Sequence, residues 1–168
     1  LLLTAVLLSA CNKKVKEETV NPNAGNTTSG QTNPGDQGSA IVEEGAFGPS
    51  DLDSNTCLRQ RVVYFDYDQD MLKPEYQAIV ACHAKYLRDR PSARMRLEGH
   101  ADERGTREYN MALGERRGNG VSAAFSANAA DTGRIEVVSS GEERPVCLDS
   151  DESCWSQNRR VEISYSVK

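Results

Sequence analysis

The densest chemistry in the chain lies in residues 97–117, LEGHADERGTREYNMALGERR. An acid (Asp102), an amide (Asn110) and an arginine (Arg117) fall in one strand–loop–helix span. An arginine presents a planar fork that grips a carboxylate with two parallel hydrogen bonds. A nearby aspartate accepts hydrogen bonds from an ammonium. Together they read a zwitterionic amino-acid head, with Leu113 as the apolar wall of the cleft. The competing reading is that Asp102 and Arg117 pair with each other and brace the loop, since structural ion pairs are common.

Other reactive groups fit catalysis less well. Glu98, Asp102 and Glu103 supply carboxylates, and a glycosidase needs two at a defined separation. Cys82 and His83 suggest a thiol nucleophile, but adjacent helical residues point in different directions and no orienting third group is evident. A binding role is therefore expected and an enzyme is not. The chain has five cysteines. Cys147 and Cys154 bracket LDSDES and are the obvious pair, which leaves Cys57 with Cys82. A short bridge of this kind contributes roughly 2–3 kcal/mol. No CxxC occurs, and His83 and His100 are the only histidines, so no metal or cofactor is expected.

The elements that must carry these residues follow from periodicity. Residues 62–67 are rich in β-formers and read as the first strand. Pro74 suits the first turn of a helix, and Tyr76, Ile79, Val80, His83, Ala84 and Leu87 continue it at helical spacing. Pro91 ends it. Residues 94–98 alternate as a second strand. Thr106 caps a helix running to about Asn128. Residues 135–139 form a third strand, 155–158 a helical turn, and 160–167 a last strand. At 100° per residue, Tyr109, Ala112, Leu113, Gly120, Ala123 and Ala124 share the helix face expected on the sheet. Arg116 falls within that face and Arg117 near its edge. The order βαβαβ plus a final strand predicts an α/β two-layer sandwich, with helices on one face of a mixed sheet.

The first residues, LLLTAVLLSAC, have the form of a lipoprotein processing signal with Cys11 as the acylated position. Two or more acyl chains anchor stably. Asn12, in place of Asp, fits sorting to the outer membrane. Residues 21–40 are nearly free of large apolar side chains and cannot offset their ordering entropy. A flexible segment of about 40 residues spans roughly 35 Å. Residues 41–58 are transitional. The net charge of −5 argues against nucleic acid as a partner. Mean hydropathy is −0.62, and no stretch is long enough to span a bilayer.

GHADERGTREYNMALGERR, preceded by VVYFDYD and followed by NRRVEISY, resembles the OmpA-like peptidoglycan-binding domains, in detail those of lipoproteins that work with the Tol proteins. The resemblance covers about residues 62–165 and implies the same two-layer architecture. It implies that Asp102 and Arg117 hold the free amino-acid centre of diaminopimelate, and that Phe65, Asp66, Arg104 and Leu113 line the pocket. Asn110 joins this set from its position two turns before Arg117. Partners implied are peptidoglycan, TolB and TolA, with a role in envelope constriction at division. The organisation expected is a signal remnant at 1–10, a lipid-anchored tether at 11–50 and the binding domain at 51–168. One departure stands out. Gly114, Gly118 and Gly120 lie in one helix at roughly 1 kcal/mol each relative to alanine. Close helix–sheet contact is one compensation. A structural lipoprotein that has lost wall binding is the alternative, and a wall hydrolase a more remote one.

Overall fold

Four strands and two long helices form the frame that carries the GHAD loop. The computed structural model describes residues 45–168. The expected signal remnant, the expected acylation site Cys11 and the expected tether up to residue 44 lie outside the described residues. In chain order the elements are α1 (Asp51–Ser54), β1 (Val62–Tyr64), a 3-10 turn (Pro74–Tyr76), α2 (Gln77–Asp89), β2 (Arg94–His100), α3 (Arg107–Ala127), a second 3-10 turn (Thr132–Arg134), β3 (Ile135–Gly141), α4 (Glu152–Asn158) and β4 (Arg160–Val167). The sheet order is β1-β4-β2-β3. β2 and β3 run parallel, and β4 inserts between β1 and β2, antiparallel to both. This is the mixed α/β sheet that the alternation of elements predicts.

One sheet face is apolar and carries the helices. In β2, Met95 and Leu97 are buried while Arg94 and Arg96 are exposed. Their neighbours in β4 are Tyr165 and Ile163. These residues meet Val80, Ala84 and Leu87 of α2 and Val121 and Phe125 of α3 in a single core. The preceding chain closes that core with Phe47, Leu52 and Leu58. Thus packing begins inside the segment that reads as transitional. Cys57 is bonded to Cys82 of α2, with Cα atoms 6.3 Å apart. Cys147 is bonded to Cys154 of α4, with Cα atoms 5.1 Å apart.

Two local expectations change. β1 stops at Tyr64, short of residue 67. Phe65 still donates its N–H to Arg159 O at 2.9 Å, but the chain then turns, with Asp68 in the left-handed region at φ 56°. The larger change is the buried face of α3. It consists of Asn110, Leu113, Gly114, Arg117, Gly118, Val121 and Phe125. Tyr109, Ala112, Arg116 and Ala123 face solvent instead. Apolar periodicity misplaces this face because much of what packs is glycine, chosen for approach distance. A Cβ on Gly118 would stand 2.6 Å from Val137 Cγ1. The helix therefore rests directly on the strands, which compensates for its glycines. Thr106 caps it as predicted, accepting from Tyr109 N at 3.2 Å.

Candidate functional site

Three segments meet at the C-terminal end of β2. They are the loop 101–106, the first three turns of α3, and the turn 66–70 after β1. They enclose a cavity of about 200 Å³ lined by Tyr67, Asp68, Ala101, Asp102, Arg104, Gly105, Tyr109, Asn110, Leu113 and Arg117. Gly105 turns the loop at φ 113°, a conformation that side-chain-bearing residues rarely adopt. Of the residues expected from sequence, Asp102, Arg104, Asn110, Leu113 and Arg117 line the cavity together.

Arg117 is fully buried. Its Nη1 donates to His100 O at 2.7 Å, Nε to Gln69 O at 2.8 Å and Nη2 to Asp66 O at 3.2 Å. The guanidinium lies 5.2 Å from the centre of the Phe65 ring. Among the described residues it pairs with no carboxylate. Burial, and next the Arg159 cation, lower its pKa to about 10, so it stays charged at neutral pH.

Asp102 is 4% exposed. Its Oδ1 accepts from Arg104 N at 3.1 Å and Nε at 3.0 Å, and its Oδ2 from Arg104 Nη2 at 2.7 Å and Arg159 Nη1 at 3.3 Å. The direct Asp102–Arg117 brace is therefore absent, because Asp102 is taken by two other arginines. Burial pushes its carboxyl up, but the bonds from Arg104 and Arg159 outweigh this and hold it below the ordinary aspartate value. Arg117, Arg159 and Asp102 are all buried beside the cavity. Asn110 is buried too and donates through Nδ2 to Asp102 O at 3.1 Å and to the Glu142 carboxylate.

The side chains of Phe65 and Asp66 do not line this cavity. Phe65 is in the core, and Asp66 is exposed and pairs with Lys73 at 2.6 Å. The segment acts through its carbonyls: Phe65 O accepts from Arg159 Nε at 3.1 Å, and Asp66 O from Arg117. Sequence reasoning missed Tyr67, Asp68, Tyr109 and Arg159. Asp68, which accepts from the Tyr109 hydroxyl, lay in VVYFDYD, and Arg159 in NRRVEISY. Cys147, Asp149 and Cys154 stand close enough to suggest a metal cluster, but both sulfurs are spent in the disulfide.

Comparison with known proteins matches the OmpA family over residues 64–159. A peptidoglycan-associated lipoprotein of Pseudomonas aeruginosa is 51% identical over 100 residues, which is 60% of this chain and 59% of that protein. The chain thus spans about three fifths of that relative's length. The Pseudomonas putida protein of the same name is 42% identical over 134 residues, 76% of this chain and 80% of its own length. The crystal structure of the peptidoglycan-associated lipoprotein from Burkholderia pseudomallei superposes with a TM-score of 0.67 at 42% identity, over 69% of this chain and 98% of that one. These are binding proteins of a structural, non-enzymatic family. With more than half of its length matched and a relative covered over four fifths, the chain belongs to the OmpA family and, within it, to the peptidoglycan-associated lipoproteins.

Proposed function

We propose that this domain grips peptidoglycan non-covalently through the free amino-acid centre of diaminopimelate in the wall peptide. The observation that carries the reading is Arg117, a buried cation with no carboxylate partner among the described residues, at the floor of a small cavity. A ligand carboxylate supplies the missing anion in a water-poor site, where a charged hydrogen bond is strong. Asp102, Asn110 and the rim carboxylate of Asp68 offer oxygens for the ammonium. Leu113 supports the methylene chain. Once the amine is cross-linked its charge is gone, so the pocket selects uncross-linked stems.

The wider role is proposed from the family and from the LLLTAVLLSAC run. An acylated Cys11 anchors the protein in the outer membrane, facing the periplasm, and the residues between Cys11 and the core residue Phe47 tether the domain so that it links membrane and wall. TolB and TolA are the proposed protein partners, in envelope integrity and division.

The test is co-sedimentation with insoluble peptidoglycan, using the chain with Cys11→Ser to block acylation. Wild type pellets with the wall, and folded Asp102→Ala and Arg117→Ala stay in the supernatant. A folded wild type that remains soluble refutes the wall-binding reading.

A further inference from the structure

Arg104 is gripped on both faces and along one edge. Its guanidinium carbon lies 4.1 Å from the ring centres of both Tyr67 and Trp155. Along the edge, Nε and Nη2 meet the two oxygens of Asp102. Arginine stacks well on aromatic faces. Trp155 is itself held. Its Nε1 donates to Glu103 Oε1 at 3.0 Å. The preceding residue, Cys154, is wholly buried and bonded to Cys147. Asn158 clasps the same loop, accepting from Val146 N at 2.9 Å and donating to Cys147 O at 2.7 Å. A helix of seven residues does not persist by itself. The position of Trp155 therefore depends on the disulfide and the Asn158 clasp.

We infer that Trp155 is a positioning residue that sets the charge selectivity of the pocket by holding Arg104 on Asp102, with the Cys147–Cys154 bond holding Trp155 in turn. The inference rests on the zwitterion reading above. Each Asp102 oxygen already accepts two hydrogen bonds, so its acceptor shell is full. A bare amine that takes Asp102 leaves Arg104 only the more distant, exposed carboxylate of Glu152, 3.6 Å from its Nη2. A zwitterion brings the replacement: its carboxylate, held by Arg117, turns its second oxygen to Arg104 while its ammonium takes Asp102. The slot between Tyr67 and Trp155 keeps the guanidinium in plane during this exchange. The clamp therefore works against amines that lack a carboxylate, which is specificity by penalty. Without the indole, Arg104 loses one wall and the Asp102 shell opens.

The experiment compares the full chain with Trp155→Ala and Trp155→Phe, with meso-diaminopimelate and cadaverine as probes in calorimetric titrations. The ¹⁵N–¹H signal of Arg104 Nε reports its hold on Asp102 with no ligand present. Wild type favours the zwitterion. Trp155→Ala narrows that preference by roughly tenfold and broadens the Arg104 signal, whereas Trp155→Phe, which keeps a stacking ring, changes either by less than about threefold. Reduction of the disulfide moves both readouts in the direction of Trp155→Ala. A folded Trp155→Ala with wild-type preference and signal overturns the inference. Wild type that binds neither probe refutes the ligand reading, and the Arg104 signal alone then decides the positioning role. If Trp155→Ala does not fold, Trp155→Leu carries the same comparison.

Discussion

Gly99 of β2 and Gly114 of α3 touch backbone to backbone: a Cβ on Gly114 would stand 2.7 Å from the Gly99 carbonyl oxygen, and one on Gly99 would overlap the Gly114 carbonyl. This contact sets how far α3 sinks onto the sheet. Arg117, less than one turn further on, thereby reaches the carbonyl of His100. Gly114→Ala is expected to destabilise the domain by about 3 kcal/mol through overpacking against unyielding backbone. It should also weaken wall binding more than the stability loss explains. Urea unfolding and co-sedimentation measure the two effects.

Asp102→Asn keeps the shape of the side chain and removes the one buried carboxylate among the described residues. Arg104 and Arg159 then face a neutral amide, and the buried Arg159 keeps only the exposed carboxylate of Glu152, 2.5 Å from its Nη2. A loss of about 1–2 kcal/mol is expected, less than for a buried charge left wholly unpaired, because Glu152 still meets both arginines. Urea unfolding checks it, and an unchanged midpoint would refute the assignment of Asp102 as their counter-charge.

The two histidines give the domain a pH window. His83 is buried between Tyr165 Oη at 2.8 Å and Gln60 O at 2.9 Å. The carbonyl accepts a hydrogen bond from Nε2–H, so Nδ1 is the acceptor for the tyrosine hydroxyl and the ring is neutral. Burial lowers its pKa to about 4. His100 is lowered to about 4 as well, by burial and then by Arg160. Both take a proton more readily in the unfolded chain, near 6.5. Their stabilising effect is thus complete above about pH 6.5 and is lost as pH falls toward 4, at about 1.4 kcal/mol per unit for each ring. The carboxylates held low, such as Asp102, lose theirs only at still lower pH. The urea midpoint should fall between pH 7 and pH 5, and His83→Gln should flatten that slope.

Cys57–Cys82 closes 25 residues and Cys147–Cys154 closes 7. Loop entropy gives about 3 and about 2 kcal/mol respectively. Cys57→Ser with Cys82→Ser should therefore lower stability more than the matching pair at 147 and 154, while only the latter should change the pocket. Thermal unfolding and ligand titration of the two double variants separate these effects.

The sheet-and-helix order was legible because strand runs such as Arg94–His100 alternate cleanly and Thr106 marks a helix start. The inner face of α3 was not, because Gly114 and Gly118 carry no hydropathy and Asn110 and Arg117 look like surface residues until their partners are known. Asp102, Asn110 and Arg117, grouped by their spacing, line one cavity. What spacing could not show is that Asp102 is held by Arg159. That pairing spans 57 residues and exists because β4 inserts beside β1, which brings Arg159 against Phe65 and over Asp102.

The Cys57–Cys82 bond also has a mechanical meaning. β1 is an edge strand joined to the sheet over only Val62–Tyr64. Tension arriving along the backbone from the N-terminal side would reach such a strand end-on and peel it away. It reaches Cys57 first, where a covalent link hands the load to the middle of α2 and the core beneath it. The short β1 seam is bypassed, and a pull that would unzip the sheet is spread through a helix anchored in the core.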